Sequence, residues 1–319
     1  MCAPPSAGHA ATQHHAFFYD GAKQFVDGAT AFARDGIHSG AHVIVALTDE
    51  KSRSTREALG PLADTVEFVD ATQLYVRHGP MFRSIFEQLV RHASPDGPGL
   101  RLVAEQPLGD RQRADVCAYL RYEAAANAAY QSFNAQVLCP YDTRLGDDIL
   151  DAAQRTHPRT WQPDGGEPND GFEDPRAFIR RFVRDRDAAA VRDVQVQPLE
   201  QREDVARARA LARARATAAG LDRQASEELV IAVSEVVANA FLHGAAPRSL
   251  RSYEDDEHLV VQVRDAGRGP ADPLVGYLPP DSERPGGRGL WLAHQLCDIV
   301  EVVQDDRHTD VFLQMRLAA

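Results

Sequence analysis

The N-terminal part of the chain alternates short apolar runs with longer amphipathic ones. The short runs are rich in β-branched residues, as in HVIVALT, which is typical of buried strands. The longer runs carry apolar residues at helical spacing, and the first ends at a glycine. Helices are predicted at 21–40, 51–60, 81–93 and 110–133, and strands at 42–48, 65–70, 100–105 and 135–140. This alternation predicts a mostly parallel α/β sheet.

The C-terminal part groups its helices and strands instead of alternating them. Residues 157–193 are rich in Pro, Gly and Asp and then in charged residues, which predicts a linker with a short helix near 175–186. Helices are predicted at 203–220 and 223–244, strands at 194–199, 259–267 and 310–317, and a helix running into a strand at 288–304. Grouping of this kind predicts an α+β domain with an antiparallel sheet under helices.

The two patterns divide the 319 residues into two domains of ordinary size. We expect an N-terminal domain at 1–160, a linker at 161–193 and a C-terminal domain at 194–319. With 44% hydrophobic and 26% charged residues, the composition is that of a globular protein. The net charge of -12 disfavours a surface that neutralises phosphates, so no direct nucleic-acid partner is expected.

Cysteine usage and hydropathy indicate the cell compartment. The four cysteines are far apart and form no CxxC pair, which fits reduced thiols better than disulfides or a zinc site. No stretch approaches the roughly 20 apolar residues of a membrane span. The N-terminus also lacks a signal-peptide pattern. We therefore expect a cytoplasmic protein without a membrane partner.

Three short motifs follow one another in the C-terminal domain. In SEVVANAFLHG, the residues Glu235, Asn239 and His243 are spaced i, i+4 and i+8, so on a helix they share one face. A strand then ends in DAGRG, and a helix opens with GGRGL. Each motif alone is common as surface decoration, a turn or a tight helix entry. Their order and spacing within about 60 residues favour a common site.

Together these motifs resemble the Bergerat (GHKL) ATP-binding fold of gyrase, the Hsp90 chaperone, histidine kinases and MutL. More narrowly, VSEVVANAFLHG, DAGRG and GGRGL are similar to the serine-kinase anti-sigma factors of the sporulation and general-stress type. The resemblance covers about 195–319. It implies that the domain binds ATP and Mg²⁺ and is a protein serine kinase.

The resemblance also implies roles for single residues. Asn239 offers an oxygen ligand to Mg²⁺, and Glu235 would act as the general base. Asp265 would accept a hydrogen bond from the adenine amine, which favours ATP over GTP. The other expected nucleotide-binding residues are Gly267, Gly269, Gly286, Gly287, Arg288, Gly289, Leu290 and Thr309. The lid arginine is either Arg284 or Arg288, and the usual Gly-Thr pair is His308-Thr309 here.

Three functions remain open for this domain. The resemblance favours transfer of phosphate to a serine of a STAS-type anti-sigma-factor antagonist, with a sigma factor as a further partner and a possible homodimer. Arg207 sits where related kinases contact partners, although Arg207, Arg209, Arg213 and Arg215 also fit a solvated helix face. The alternative is a non-catalytic ATP-binding module that sequesters a partner. A degenerate sensor histidine kinase ranks last, because His157 lies in no helical hairpin.

The N-terminal segments HHAFFYDG, LRLVAE and LCPYD, with the pair Glu123 and Asn127, resemble the MEDS sensory domain, a relative of RecA-like and KaiC-like ATPases. The resemblance covers about 12–160. A phosphate loop would follow the first strand, but Lys51-Ser52 has no glycines before it. We therefore expect this domain to sense a small-molecule ligand or dock a partner, without ATPase activity.

Polar residues near the predicted strand ends are candidates for that ligand site. Glu105, Glu123, Asn127 and Tyr141 would line the carboxyl edge of the sheet, where open α/β sheets bind ligands. A purely structural role is at least as good an explanation for each. The adjacent His14 and His15 have no third ligand at a useful sequence spacing, so the sequence does not predict a metal site there.

Overall fold

The computed structural model describes residues 12–109, 111–182, 191–280 and 287–317. The chain divides into two compact units. The first runs to Val76 and includes Met81–Phe178, and the second contains Arg77–Pro80 and the chain from Ile179 onward. Among the described helices, none is both long enough and apolar enough to cross a bilayer.

The N-terminal unit is built on a seven-stranded sheet with the order β3-β2-β4-β5-β1-β6-β7. Its strands are β1 (Gln13–Tyr19), β2 (His42–Leu47), β3 (Val66–Asp70), β4 (Leu100–Ala104), β5 (Ala135–Asp142), β6 (Arg159–Gln162) and β7 (Gly165–Pro168). Its helices are α1 (Gly21–His38), α2 (Asp49–Leu59), a 3₁₀ helix (Gly60–Thr65), α3 (Ala71–Leu74), α4 (His78–His92), α5 (Arg113–Ala129), α6 (Asp147–Thr156) and α7 (Pro175–Arg181). All paired strands except the last are parallel, which confirms the predicted sheet class.

Side chains of β1 alternate between the two faces of this sheet. Phe17 and Tyr19 pack with Phe25 and Phe32 of α1 in one buried core. His14 points to the opposite face, where it borders a small cavity together with residues of α4 and α5. Helices therefore cover both faces, as parallel sheets require.

The segment 161–193, predicted as a linker with a short helix, contributes partly to the sheet. β6 extends the sheet beyond β1, through the parallel pairs His15 with Arg159 and Ala16 with Thr160. β7 folds back on β6 as an antiparallel strand. These strands have only four residues each, and β7 contains Gly and Pro, so local pattern gave no strand signal. The predicted short helix corresponds to α7.

The C-terminal unit has a five-stranded antiparallel sheet with the order β11-β12-β10-β9-β8. Its strands are β8 (Arg192–Pro198), β9 (Arg248–Glu254), β10 (His258–Asp265), β11 (Ile299–Gln304) and β12 (Thr309–Arg316). Its helices are α8 (Asp204–Ala218), α9 (Arg223–Leu242) and α10 (Arg288–Leu296). One buried apolar cluster joins these helices to the sheet, which confirms the predicted α+β layering.

Candidate functional site

Helix α9 carries the first predicted site residues at the edge of the core. Its N-terminus is capped by Asp222, whose side chain accepts a hydrogen bond from the Ala225 N–H at 2.7 Å. At its C-terminus, Arg248 of β9 donates to the carbonyl of Ala240 at 2.7 Å. Val236 and its neighbours are buried, whereas Glu235 and Asn239 are half-buried on the adjoining face. Capping at both ends fixes the position of this face against the sheet.

Asp265, the last residue of β10, is held by backbone N–H groups. Its Oδ1 accepts hydrogen bonds from Gly267 at 2.6 Å and from Ala245 at 3.2 Å. The carboxylate is 8% exposed. A Cβ on Gly244 would overlap the carboxylate carbon, and one on Gly267 would lie 2.6 Å from Oδ1. Both bonds fall on Oδ1, so Oδ2 is the oxygen left to accept from a ligand.

Thr309 begins β12 beside the same loop. Its hydroxyl donates to the carbonyl of Gly267 at 2.9 Å. Gly269 adopts a φ of 63°, and a Cβ there would lie 2.7 Å from the Thr309 hydroxyl. The side chain of Thr309 thus fixes the DAGRG loop, while His308 lies between the carboxylates of Asp305 and Asp310.

The start of α10 approaches α9 very closely. Gly287 caps this helix with a left-handed φ of 77°, a conformation that favours glycine. A Cβ on Gly289 would lie 2.7 Å from Asn239 Nδ2 and 3.2 Å from Glu235 Oε2. The absence of a side chain at 289 therefore lets the helix N-terminus reach both polar residues of α9.

These elements enclose one cavity of about 420 Å³. Of the predicted site residues, it is lined by Asn239, Asp265, Gly269, Gly287, Gly289, Leu290 and Thr309. Gly267 supports Asp265 from behind, the exposed Arg288 begins α10, and Glu235 lies beside Gly289, but none of these three lines the cavity. Gly286 and Arg284 lie outside the described residues.

Several cavity residues were not predicted from the sequence. The apolar wall is formed by Val236, Ala240, Val263, Val275 and Val311. Gly244 was visible in the sequence only as a helix stop, yet it makes room for the Asp265 carboxylate. Hydrophobic walls with a few placed polar groups are typical of small-molecule sites. The cavity therefore suits a small molecule with both an apolar part and polar groups.

Two family models match the chain, one for each sheet. Residues 13–158 match the model described as MEDS, the MEthanogen/methylotroph, DcmR Sensory domain. Residues 199–315, which contain the cavity, match the model of the histidine kinase-like ATPase domain. The chain joins an N-terminal MEDS domain to a C-terminal histidine kinase-like ATPase domain. The second match implies ATP as the nucleotide.

A solved structure that resembles the chain contains the RsbU and RsbW domains of Rv1364c from Mycobacterium tuberculosis. The identity is 21%, the TM-score is 0.31, and the match covers 40% of this chain. It spans only 33% of the chain in that structure. A comparison with curated proteins gave no match.

In the ATPase domain, Glu235 borders a second, shallow groove. This groove has a volume of about 360 Å³ and is lined by Arg209, Arg213, Val230, Ile231, Ser234 and Glu235. Arg209 donates to the Ser234 hydroxyl at 2.9 Å. Ile231, a large apolar side chain, is 45% exposed in this groove. Glu235 thus adjoins both Asn239 at the cavity and an open, basic groove.

The arginines of α8 do not all belong to one solvated face. Arg215 is buried and pairs with Glu254 at 3.0 Å, so the expectation of a solvated side chain is wrong for this residue. Arg207 is exposed but forms an ion pair with Asp204 on its own helix. Arg209 and Arg213 are exposed beside the groove.

In the MEDS domain, Lys51 lies in α2 after the second strand, because Gln13–Tyr19 forms the first, so the prediction that Lys51 follows the first strand is wrong. Lys51 Nζ lies 2.5 Å from a carboxylate oxygen of Glu105 and 2.6 Å from the Tyr19 hydroxyl. Burial raises the pKa of Glu105, and the adjacent Lys51 opposes that rise. Lys51 therefore neutralises a buried carboxylate at the end of β4.

Proposed function

We propose that the ATPase domain is an ATP-dependent protein serine kinase that acts as an anti-sigma regulatory factor. Its substrate would be a serine of a STAS-type anti-sigma-factor antagonist, with a sigma factor as a further partner. The observation that carries the proposal is the arrangement around Gly289, where Asn239 and Glu235 approach one helix N-terminus. A pure nucleotide-binding site has no need of a general base there.

Each residue of the cavity fits a part of the nucleotide. Asp265 Oδ2 would accept from the adenine amine, and the valines would pack on the purine ring. The start of α10 supplies backbone N–H groups, which favour phosphate. Asn239 would hold Mg²⁺, which when bound neutralises phosphate charge. In the transfer, the serine oxygen forms a bond to the γ-phosphorus, the bond to ADP breaks, and Glu235 takes the hydroxyl proton.

The acceptor serine is expected on another protein. The groove beside Glu235 has exposed Arg209 and Arg213 and an exposed apolar residue, Ile231, which together suit a protein segment with acidic and apolar side chains. His157, the candidate for a histidine-kinase acceptor, is fully buried. These observations favour transfer to a partner over autophosphorylation.

Incubation with labelled ATP, Mg²⁺ and a panel of STAS proteins tests the proposal. We expect label on a serine of at least one of them, and no label when that serine is replaced by alanine. ATP binding without transfer to any STAS protein would favour the alternative, a module that sequesters its partner and uses the nucleotide as a switch. The position of Glu235 outside the cavity lining is the observation that keeps this alternative open.

Regulation by the MEDS domain and homodimer formation belong to the same proposal. A small ligand or partner of the MEDS domain would set the kinase output. Light scattering with and without nucleotide measures the oligomeric state. Small-molecule fractions of a cell extract can be added to the full chain, and a change in the rate of phosphate transfer would reveal a sensed ligand.

A further inference from the structure

Four buried side chains meet inside the MEDS domain. They are His14 of β1, Glu123 of α5, Cys139 of β5 and His157, which follows α6. All are at most 8% exposed. One potential ligand atom from each lies within 4.8 Å of all the others. Polar groups of this kind are rarely gathered in a protein interior without a reason.

The separations between these atoms resemble the edges of a metal coordination shell. His14 Nε2 and His157 Nε2 each lie 3.1 Å from Glu123 Oε2, and His14 Nε2 lies 3.2 Å from Cys139 Sγ. In a tetrahedral site with bonds of about 2.0 Å, neighbouring ligand atoms are about 3.3 Å apart. Small side-chain movements would bring the remaining pairs to that distance.

Hydrogen bonds outside the cluster orient both imidazoles. His14 Nδ1 lies 3.1 Å from Asn127 Oδ1, and His157 Nδ1 lies 2.7 Å from the carbonyl oxygen of Ala153. The amide of Asn127 is oriented because its Nδ2 donates to the carbonyl of Thr156 at 2.8 Å. Both Nδ1 atoms thus carry a hydrogen, so in a neutral ring the Nε2 lone pair points into the cluster. Metal-binding histidines are oriented in this way.

One positive charge between the inward-pointing lone pairs would satisfy them. Among the described residues, neither Glu123 Oε2 nor His157 Nε2 has a hydrogen bond of normal geometry, although they are only 3.1 Å apart. Protonating both imidazoles would place two cations with ring centroids 4.1 Å apart in a buried site. A divalent cation with a Glu carboxylate, a Cys thiolate and two neutral imidazoles would instead give a net charge of zero.

We propose that His14, Glu123, Cys139 and His157 bind one divalent transition-metal ion, with Zn²⁺ as the best match. Zn²⁺ accepts S, N and O ligands in tetrahedral geometry, and four protein ligands form a closed site. On binding, the Cys139 thiol loses its proton to solvent and the Zn–S bond forms. Because the ligands come from separate elements, the ion would link β1, α5, β5 and the segment after α6.

Cobalt substitution of the full chain tests this site directly. After treatment with a chelator, one Co²⁺ per chain should produce the visible bands of tetrahedral cobalt and a thiolate-to-cobalt charge-transfer band in the near ultraviolet. Cys139→Ser should abolish the charge-transfer band. The matched control is Cys117→Ser, a half-buried cysteine on α5 outside the cluster, which should keep it. Wild-type protein that takes up no Co²⁺, or takes it up without this band, would overturn the proposal.

A second variant covers the case in which Cys139→Ser fails to fold. Asn127 orients His14 but is not a ligand, so Asn127→Ala should weaken Zn²⁺ binding by about 10- to 100-fold. Competition with a chromophoric chelator measures that affinity, and circular dichroism verifies that the variant is folded. A folded Asn127→Ala protein with wild-type Zn²⁺ affinity would contradict the proposed site geometry.

Discussion

At the scale of single residues, Asp265 shows how glycines place a carboxylate. Its Oδ1 is fixed by two backbone N–H groups, and Gly244 and Gly267 leave room for it on both sides. The acid and the DAGRG motif were predictable from the sequence. The contribution of Gly244 was not, because only the packing of α9 against β10 brings it to Asp265.

Gly244→Ala should therefore damage nucleotide binding. The new Cβ would overlap the Asp265 carboxylate and displace Oδ2 from its position. We expect ATP affinity to fall at least tenfold, or about 1.4 kcal/mol, by isothermal titration calorimetry. As a control, Gly97→Ala adds a Cβ at an ordinary contact distance of 3.5 Å from Ser94 and should bind ATP normally. Unchanged affinity of Gly244→Ala would show that Asp265 does not bind the base.

Glu235 and Asn239 lie one turn apart, but their substitution by alanine should have different effects on phosphate transfer and ATP binding. Glu235→Ala should abolish phosphate transfer, a loss of at least about 10²-fold, and keep ATP affinity, because it removes only the base. Asn239→Ala should weaken Mg²⁺-dependent ATP binding as well. Glu227→Ala, an exposed residue of the same helix that pairs with Arg223, should change neither quantity. If Glu235→Ala transferred phosphate at the normal rate, Glu235 would not be the general base.

At the scale of elements, most long helices and buried strands were predicted, but the buried strand β1 was missed, as were short or polar strands. The bounds of α1 and α9 lie close to the predicted ones because their apolar residues keep helical spacing, and those of α8 do so because Ala and Arg are strong helix formers. β9 was missed, because some buried positions of RSLRSYE are occupied by polar residues. Ser252, for example, is 0% exposed. This segment is a strand because it pairs with β8 and β10, and no local sequence pattern shows that pairing.

The turn between β9 and β10 should give the ATPase domain a pH-dependent stability. Asp255 Oδ1 accepts hydrogen bonds from the N–H groups of Glu257 at 3.0 Å and His258 at 2.8 Å. Although burial raises it, the His258 ring and these N–H groups hold the pKa of Asp255 well below its ordinary value. A lowered pKa means that the stabilisation is complete above the ordinary pKa of about 4 and is lost as the pH falls toward the folded value.

Asp255→Ala should accordingly lower the free energy of unfolding at pH 7 by about 1 kcal/mol. Urea unfolding of variant and wild type at several pH values should show this difference shrinking below about pH 4. Asp256→Ala in the same turn removes only an exposed ion pair with Arg192 at 3.5 Å and should have little effect. A difference that stays constant down to pH 2 would contradict the role of the Asp255 charge.

At the scale of the whole molecule, residues far apart in sequence were the hardest to predict. The three ATPase motifs lie within about 60 residues, and each sits on an element that local pattern reveals. By contrast, His14, Glu123, Cys139 and His157 come from four places between the start and end of the MEDS domain. Only the parallel pairing of β1 with β5 and the packing of α5 bring them together. No sequence spacing carries that information.

Because each unit has its own buried core, the two proposed ligands should stabilise different thermal transitions. A ligand at 100 times its Kd adds about 2.7 kcal/mol to the unit that binds it. For a unit of about 150 residues this raises Tm by about 5–10 °C.

Scanning calorimetry of the full chain should show one transition that rises with Zn²⁺ and another that rises with Mg²⁺ and ATP. Cys139→Ser should remove only the first shift and Asn239→Ala only the second. If both ligands shifted one common transition, the two units would not unfold independently. If only one ligand failed to shift a transition of the wild-type protein, only the site proposed for that ligand would be refuted.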